Sequence, residues 1–490
     1  MPEAVREVET KFDIPPDFEV PDLSAFGEVD TDVVEIESSY WDTENHDLLR
    51  FHVTLRRRTG GADTGWQLKT PGDGFRTERH WPDDEVAANI PMALLELVTP
   101  FTRGRSLSPV VRIDTTRTRR RICRDGVLRA EVARDAIRAI GLAADIRAPR
   151  WNEVEVELGP DADAALLAAL GKTLLRAGAV NSTSRSKVGR ALHGIGNEGV
   201  GTPRASAGAV LTAYLGEQTD ALVAGYFTIV DENAGPAAQM EAIHKTRVAC
   251  RRSRSTLKTF VDAFDERQAE QFDGELRWYA ELLGEVRDRE VLRLRIADAV
   301  RELPSDLVVG SVAEDIDARL AAEQAARRVD VIDAMRSERY ADLLAASARW
   351  RDDPPFTAAA GRPARTLREG VRRAERKLGK RLSSAVEPRG TDEQLHGARK
   401  AGKRARYAVE ATDGELGKAV RRAKELQDLL GEFHDAVVAA ATLRRLAADA
   451  WARGEDGFTY GILLADERAR AQTARQEVAG DAGKRFRAEN

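Results

Sequence analysis

Two cysteines in 490 residues are too few for a disulfide scaffold, and Cys123 and Cys250 stand far apart with neither in a CxxC pair. A secreted disulfide framework and a cysteine zinc site are therefore excluded, and a reducing compartment fits. The chain also lacks any uninterrupted apolar run long enough to cross a bilayer, and its opening, MPEAVREVETKF, has no apolar core of signal-peptide length. The expectation is a cytoplasmic protein with no membrane partner. A surplus of positive charge is missing too: 76 Lys and Arg against 81 Asp and Glu leave a formal net charge of −5. That balance excludes a globally basic coat, so no nucleic acid is expected as a partner. Any anion binding has to come from local clusters.

What is present is a globular composition, 42% hydrophobic and 32% charged, in a chain long enough for roughly two to four domains. Up to about residue 195, short β-like runs alternate with Gly, Pro and Asp turns. After Ser206, Ala, Leu, Arg and Glu recur at helical spacing. The segment GIGNEGVGTPRASAG, Gly194 to Gly208, removes helix and strand propensity together and predicts a flexible linker. The expected division is a domain at 1–195, a linker at 196–208 and a helical domain at 209–490. Within the helical part, DDPPF at Asp352–Phe356 and the GRPAR that follows separate two stretches, about 209–350 and 360–490. The acidic stretch Asp17 to Asp32 carries no functional reading.

The first domain repeats an unusual strand pattern. In VREVETKF, Glu7, Glu9 and Lys11 occupy alternate positions and share a face, with Val8, Thr10 and Phe12 on the other. The alternation recurs with Arg56 and Arg58, Gln67 and Lys69, Arg76 and Glu78, and Arg117, Arg119 and Arg121. Glu131 and Asp135 continue it, as do Glu153, Glu155 and Glu157. Periodicity alone does not separate an outer face from a lumen. The signs do: some strands offer only carboxylates and others mainly cations, whereas an outer surface usually mixes them. A lumen lined by both suits a polyanion and its metal ions, because hard divalent cations take carboxylate oxygens while Arg and Lys neutralise phosphate.

The ordered set of ExExK at Glu7, Glu9 and Lys11, then YWDTENHDLLRFHVTLRRRTGG, GWQLKTP, AEVARD and EVEVEL, spanning Val5 to His193, resembles the CYTH family of triphosphate tunnel metalloenzymes. The resemblance implies an eight-stranded antiparallel barrel forming a tunnel, and a hydrolase dependent on Mg²⁺ or Mn²⁺ that acts on a triphosphate-containing small molecule. Carried over residue by residue, Glu7, Glu9 and Lys11 are the expected catalytic group. Lys11, Arg56, Arg58, Lys69, Arg117, Arg119 and Lys187 are the expected substrate contacts. Glu7, Glu9, Glu131, Asp135 and two of Glu153, Glu155 and Glu157 are the expected metal ligands, with Glu153 and Glu155 favoured for the last pair.

The second domain contains an internal repeat. HKTRVACRRSRSTLK from His244 aligns with HGARKAGKRARYAVE from His396 at an offset of 152, and LLGEVRDREV (Leu282–Val291) aligns with LLGEFHDAVV (Leu429–Val438) at 147. Helical spacing puts His244, Arg247, Arg251, Arg254 and Lys258 on one stripe and His396, Arg399, Lys403 and Arg406 on another. The second alignment sets Arg287 against His434. Acidic partners at i+4 are almost absent from the stripes before Glu410. The LLG of the repeated phrase reads as helix packing or a bend.

The duplicated basic helices opened by histidines, together with LGEFHD, resemble the CHAD family over Ala207 to Asn490. That resemblance implies two pseudo-symmetric four-helix bundles facing a groove that binds inorganic polyphosphate through these eleven residues. The expected whole is an α+β tunnel domain followed by an all-α domain, a triphosphatase held at polyphosphate granules. The competing readings are a non-catalytic polyphosphate tether and a class IV adenylyl cyclase. A phosphate-facing His434 predicts binding that strengthens below about pH 6.5.

Overall fold

The computed structural model describes every residue except 1–3, 62, 73–75, 83–88, 143–148, 160–161, 185, 194–205, 386, 388–389, 413–417 and 481–490. The expected linker therefore lies outside the described residues as far as 205. Packing divides the chain into two compact units: residues 1–202 with 220–239 and 336–348, and residues 203–219, 240–335 and 349–490.

The first unit is built on one antiparallel sheet. In chain order its elements are β1 (Ala4–Glu7), β2 (Glu9–Ile14), β3 (Glu28–Asp42), α1 (Asp47–Arg50), β4 (Thr54–Thr59), β5 (Gly65–Pro71), β6 (Arg76–Pro82), α2 (Met92–Thr102), β7 (Ser108–Arg124), β8 (Val127–Gly141), β9 (Arg150–Leu158), α3 (Ala164–Arg176), β10 (Val180–Asn181) and α4 (Lys187–His193). The strand order is β1-β6-β5-β4-β3-β7-β8-β9-β2-β10. Only Val8 separates β1 from β2, yet β1 pairs with β6 at one end of this order and β2 with β9 near the other. The sheet therefore curls so that its ends meet along this short segment. Ten strands stand where eight were expected, because the break at Val8 divides the first strand and Val180–Asn181 adds a two-residue strand. The long β7–β8 hairpin turns at Asp125–Gly126, both at positive φ, which is the type I′ geometry that favours an Asp-Gly pair.

The amphipathicity of this sheet is inverted. Phe12, Val132, Val154 and Val156 face outward and are buried with Leu170 and Leu174 of α3. On the inward face, in register with Arg117, Asp135 and Glu153, Val111, Ile113, Ile137 and Trp151 pack with Val188 and Ala191 of α4. Each side chain of the outer core under α3 contributes about 1.5–3 kcal/mol when fully buried, so the apolar register there is fixed on the outside and the alternate charged positions are turned inward.

The second unit and the remaining segments of the first hold the helices α5 (Ala207–Ile229), α6 (Pro236–Thr259), α7 (Glu266–Glu302), α8 (Val312–Met335), α9 (Glu338–Asp352), α10 (Leu367–Ala385), α11 (Asp392–Glu410), α12 (Lys418–Ala452) and α13 (Phe458–Ala479). Local signals start the repeated elements. Asp265 caps α7 by accepting from Gln268 N, and Thr391 with Gln394 forms a capping box on α11. A buried core joins Leu292 and Ile296 of α7 and Ile316 and Leu320 of α8 to Leu443 and Leu446 of α12 and Tyr460 and Leu463 of α13. Equivalent helices of the two repeats thus share one core. Among the described residues no helix is long and apolar enough to cross a membrane.

Candidate functional site

The inward face of the sheet lines a cavity of about 380 Å³. Glu7, Glu9, Lys11, Arg56, Arg58, Lys69, Arg117, Arg119, Glu131, Glu155 and Lys187 all reach it, as do Tyr40, Gln67, Arg76, Glu78 and Glu157. Strand register arranges these groups in rows. Glu9 stands opposite Glu157, which stands opposite Glu131; one step along, Lys11 faces Glu155; a further step on, Asp13, Glu153, Asp135 and Arg117 follow one another across four strands. Directly opposed residues have Cβ atoms about 4.5–5.5 Å apart, so the first row is a line of three carboxylates with Glu157 between the other two.

Most lumen charges are paired inside a buried network. Lys69 Nζ donates to Glu7 at 2.8 Å and lies 3.0 Å from Glu78. Lys11 lies 2.7 Å from Glu155 and 3.3 Å from Glu9. Arg117 donates to Asp135 at 2.8 and 2.7 Å and to Glu155 at 2.5 Å. Lys187 reaches Glu155 at 2.7 Å, Glu153 at 2.8 Å and Asp135 at 3.1 Å. The acidic oxygens of Asp135, Glu153 and Glu155 lie within 4.8 Å of one another, close enough to hold a metal ion. In this structure the Lys187 ammonium bridges the three.

The titration shifts separate compensated from uncompensated groups. Burial opposes ionisation of Glu155, but Lys11, Lys187 and Arg117 together hold its carboxyl well below the usual range. Burial likewise works against Glu9, and Lys11 and Lys69 outweigh it to give a net lowering. The Glu7 carboxyl is pushed up to about 7, chiefly by burial, with Lys69 opposing and Glu78 adding to the rise. Glu131 and Glu157 are both raised, again chiefly by burial. Neither makes an ion pair among the described residues. On the cationic side, Arg58 is lowered to about 10 by burial and by its neighbours Arg56 and Arg117. Its acidic contact, Asp63, is 3.8 Å away. Part of the lumen thus carries excess negative charge and part excess positive charge, which is the division a metal and a phosphate would fill together.

Two expected ligands stand apart from the lumen lining. Glu153 accepts from Trp151 Nε1 at 2.7 Å and Asp135 is fully enclosed by Arg117 and Lys187, whereas Glu157 reaches the cavity. Alternation put all three β9 glutamates on one face; only the three-dimensional pairing separates their surroundings. Glu78, Arg76 and Tyr40 join the lumen lining beyond the expected site residues. Glu78 and Arg76 share the inward periodicity of β6, a signal already present in FRTERHW, and Tyr40 stands opposite Arg56, whose Nη1 donates to its hydroxyl at 3.2 Å. Lys187 is the first residue of α4.

The helical unit contains a larger groove of about 930 Å³. His244, Arg247, Arg251, Arg254 and Lys258 of α6, Arg287 of α7, His396, Arg399 and Lys403 of α11 and His434 of α12 all line it. Arg406 lies outside the lining, paired with Glu410 at 3.2 Å and stacked on Tyr407, while Arg404, Lys400, Arg277 and Arg295 line the groove without having been expected. The acidic partners missing from the stripes come instead from α7: Asp288 pairs with Arg247 at 2.8 Å, and Asp273 with Arg254 at 2.9 Å and Lys258 at 2.7 Å. A Cβ on Gly284 of the repeated phrase would stand 3.1 Å from Arg247 Nη2. That glycine makes room for a guanidinium in the groove, a role beyond the packing or bend expected of LLG. His396 and His434 lie with ring centroids 5.5 Å apart.

The groove suppresses its own positive charge. Burial, then Arg251, Arg399, Arg247 and Arg406, push Lys403 down to about 7. Burial, followed by nearby cations, lowers His244, His396 and His434 below their ordinary value.

A charged β-lined cavity in one unit and a basic groove between repeated helices in another define a two-module protein. Residues 5–192 match the CYTH domain and residues 213–444 the CHAD domain, and the chain belongs to both families, one in each half. It is similar to the uncharacterized protein Rv2226 of Mycobacterium tuberculosis, 33% identical with 96% of this chain and 94% of that one covered. Among solved structures, PptA from Streptomyces chartreusis is similar with 23% identity and a TM-score of 0.47, over 58% of this chain and all of that one. The CHAD domain from the plant Ricinus communis is similar with 23% identity and a TM-score of 0.43, over 56% of this chain and 93% of that one.

Proposed function

We propose that the first domain is a divalent-metal-dependent triphosphatase that hydrolyses inorganic tripolyphosphate or a related triphosphate. The observation that carries this reading is the meeting, in one buried lumen, of the carboxylate row Glu9–Glu157–Glu131 with the cations Arg56, Arg58 and Lys69. That row, together with Asp135, Glu153 and Glu155, whose oxygens lie within 4.8 Å of one another, supports a hard cation such as Mg²⁺ or Mn²⁺. Glu153 and Glu155 remain the favoured β9 pair for that closeness with Asp135, while Glu157 reaches the cavity in the row with Glu9 and Glu131. When bound, the metal neutralises phosphate oxygens and makes water a stronger nucleophile.

The chain's own residues bind and orient. Arg56, Arg58, Lys69, Arg117, Arg119, Lys11 and Lys187 supply donors to the phosphate chain, with Arg58 the least compensated of them. The reaction breaks a P–O–P bridge: water oxygen joins the terminal phosphorus and the bridging oxygen leaves with the shortened chain. Positioning and charge neutralisation supply most of the catalysis of such a transfer. In the second domain, a fold of two four-helix bundles, the groove binds inorganic polyphosphate through its histidines, Arg247, Arg251, Arg254, Lys258, Arg287, Arg399 and Lys403. The full chain is then a triphosphatase that binds polyphosphate, which places it in the cytoplasm at polyphosphate granules.

Phosphate release from tripolyphosphate tests the reading, measured with Mg²⁺, with Mn²⁺ and with EDTA for the wild type and a Glu7→Ala/Glu9→Ala variant. The expected result is metal-dependent release that falls roughly a hundredfold or more in the variant, the scale for loss of preorganised electrostatic groups. No release with either metal while polyphosphate is still bound would support a tether instead. Cyclic AMP made from ATP would indicate a cyclase.

A further inference from the structure

The strand β6 is gripped from behind by helical residues of its own unit. Its residues alternate: Arg76, Glu78 and His80 line the lumen, while Arg79 points the other way and is buried, 2% exposed. Arg79 Nη2 donates to Asp231 Oδ2 at 2.8 Å and to the Phe227 carbonyl at 3.2 Å. Its Nε and Nη1 have no hydrogen-bond partner among the described residues. Asp231 and that one carbonyl therefore carry the compensation of a buried guanidinium, which is costly to leave unpaired. Asp231 is itself held in the turn after α5: its Oδ1 accepts from Asn233 N at 3.0 Å and its carbonyl accepts from Gln239 Nε2 at 2.6 Å.

A second grip acts on the same strand. Asp220 Oδ1 lies 3.0 Å from His52 Nδ1, and the His52 carbonyl accepts from Arg76 Nη2 at 3.0 Å. His52 sits at φ +58, a left-handed conformation that a non-glycine residue holds only when its surroundings over-determine it. Between the two grips is an apolar seat. Phe101 of α2 stacks on Phe227 at 5.1 Å and meets Phe51 and Tyr226 edge-on at 5.1 and 5.2 Å. This seat joins 220–239 to the sheet, and Tyr226 stacked on Tyr340 at 6.0 Å brings in 336–348.

We propose that Asp231 and Asp220 are positioning residues for the tunnel, acting through Arg79 and through His52 and Arg76 to set where Arg76 and Glu78 stand in the lumen. Neither aspartate reaches substrate. One residue of alternation along β6 separates Arg79 from Glu78, and Glu78 shares Lys69 with Glu7. A shift of the outer face of the strand is therefore delivered directly to the charge network of the site. Residues far along the chain, in the segment matching the CHAD domain, become part of the geometry of the CYTH site. The inference rests on the triphosphatase reading for its kinetic test but not for its binding test.

Full-length protein is compared as wild type, Asp220→Ala, the apolar pair Arg79→Met/Asp231→Leu, and Asp231→Glu. The melting temperature, tripolyphosphate affinity by calorimetry with Mg²⁺, and kcat and KM for phosphate release are measured for each. The expected result is a tripolyphosphate Kd and KM raised roughly tenfold in the first two variants, within the range that small misplacements produce. Their melting temperatures stay near wild type, and Asp231→Glu recovers most of the affinity. The apolar pair leaves no buried charge unpaired, and the His52–Asp220 contact is more exposed, so at least Asp220→Ala folds. Unchanged Kd and KM in folded Asp220→Ala and Arg79→Met/Asp231→Leu would overturn the proposal. Wild-type protein that binds tripolyphosphate without hydrolysing it would defeat the triphosphatase reading alone, and the Kd comparison would still decide this one.

Discussion

The tunnel and the groove are both built from cations on regular elements, yet they manage charge in opposite ways. In the tunnel, every lysine is bracketed by carboxylates: Lys69 by Glu7 and Glu78, Lys11 by Glu9 and Glu155, Lys187 by Asp135, Glu153 and Glu155. In the groove, Lys403 has guanidiniums for neighbours and is pushed down to about 7. A compensated site stays folded without ligand and takes a metal and an anion as a set. The groove is compensated only in part: Asp288 and Asp273 pair with Arg247, Arg254 and Lys258, while Lys403 is left among guanidiniums, a repulsion that a polyanion would relieve with no metal required. On the proposed function, the contrast predicts that the tunnel depends on metal and the groove on ionic strength.

The largest expected effect on this contrast comes from reversing charge in the groove. Arg251→Glu/Arg399→Glu should lower polyphosphate affinity by roughly a hundredfold or more, since each charged hydrogen bond is worth about 1.5–3 kcal/mol. Fluorescence titration with a long-chain polyphosphate reads the change. The same titration in wild type should weaken steeply as salt is raised, because the groove's charges are partly exposed and screened. Affinity unaffected by reversal of both arginines would place the polyphosphate elsewhere.

A smaller, few-fold effect is expected from pH. Lys403 is lowered, so it is charged below about pH 7 and loses its proton as pH rises through that value. Arg247 and Arg251 on α6, Arg399 and Arg406 on α11, Arg287 and Asp288 on α7 and His434 on α12 share its surroundings. Polyphosphate affinity should fall as pH rises through 7, and Lys403→Arg should flatten that step. The three histidines are lowered too, so their contribution begins below the ordinary imidazole value of about 6.5. The pH step once expected of His434 alone becomes two steps, the upper one belonging to a lysine. A Lys403→Arg protein with an unchanged step near 7 would assign it to another group.

The sequence was most legible where chemistry and spacing coincided. ExExK, the β4 and β7 arginines and the two histidine-led stripes all announced themselves, since a period of two or of 3.6 keeps like charges on one face. What stayed hidden was set by strand order. Glu153, Glu155 and Glu157 alternate identically, and only the pairing of β9 with β2 and β8 shows that Glu157 joins Glu9 and Glu131. Arg79 is the harder case. In FRTERHW it reads as the off-beat residue of a charged strand, and nothing local reveals that its partner, Asp231, lies 152 residues away. Its burial is a property of tertiary packing alone. Arg406 failed for the opposite reason: it keeps the helical period of its stripe, but Glu410 one turn on and the face of Tyr407 hold it out of the groove lining.

The central claim is a division of labour, and a crosswise measurement tests it most directly. Wild type, Glu9→Gln/Glu157→Gln and Arg251→Glu/Arg399→Glu are each assayed for phosphate release from tripolyphosphate with Mg²⁺, and for binding of long-chain polyphosphate in EDTA. The account predicts that the tunnel variant loses release and keeps binding, while the groove variant loses binding and keeps release. Loss of both properties in either variant, or polyphosphate binding that vanishes in EDTA, would contradict it.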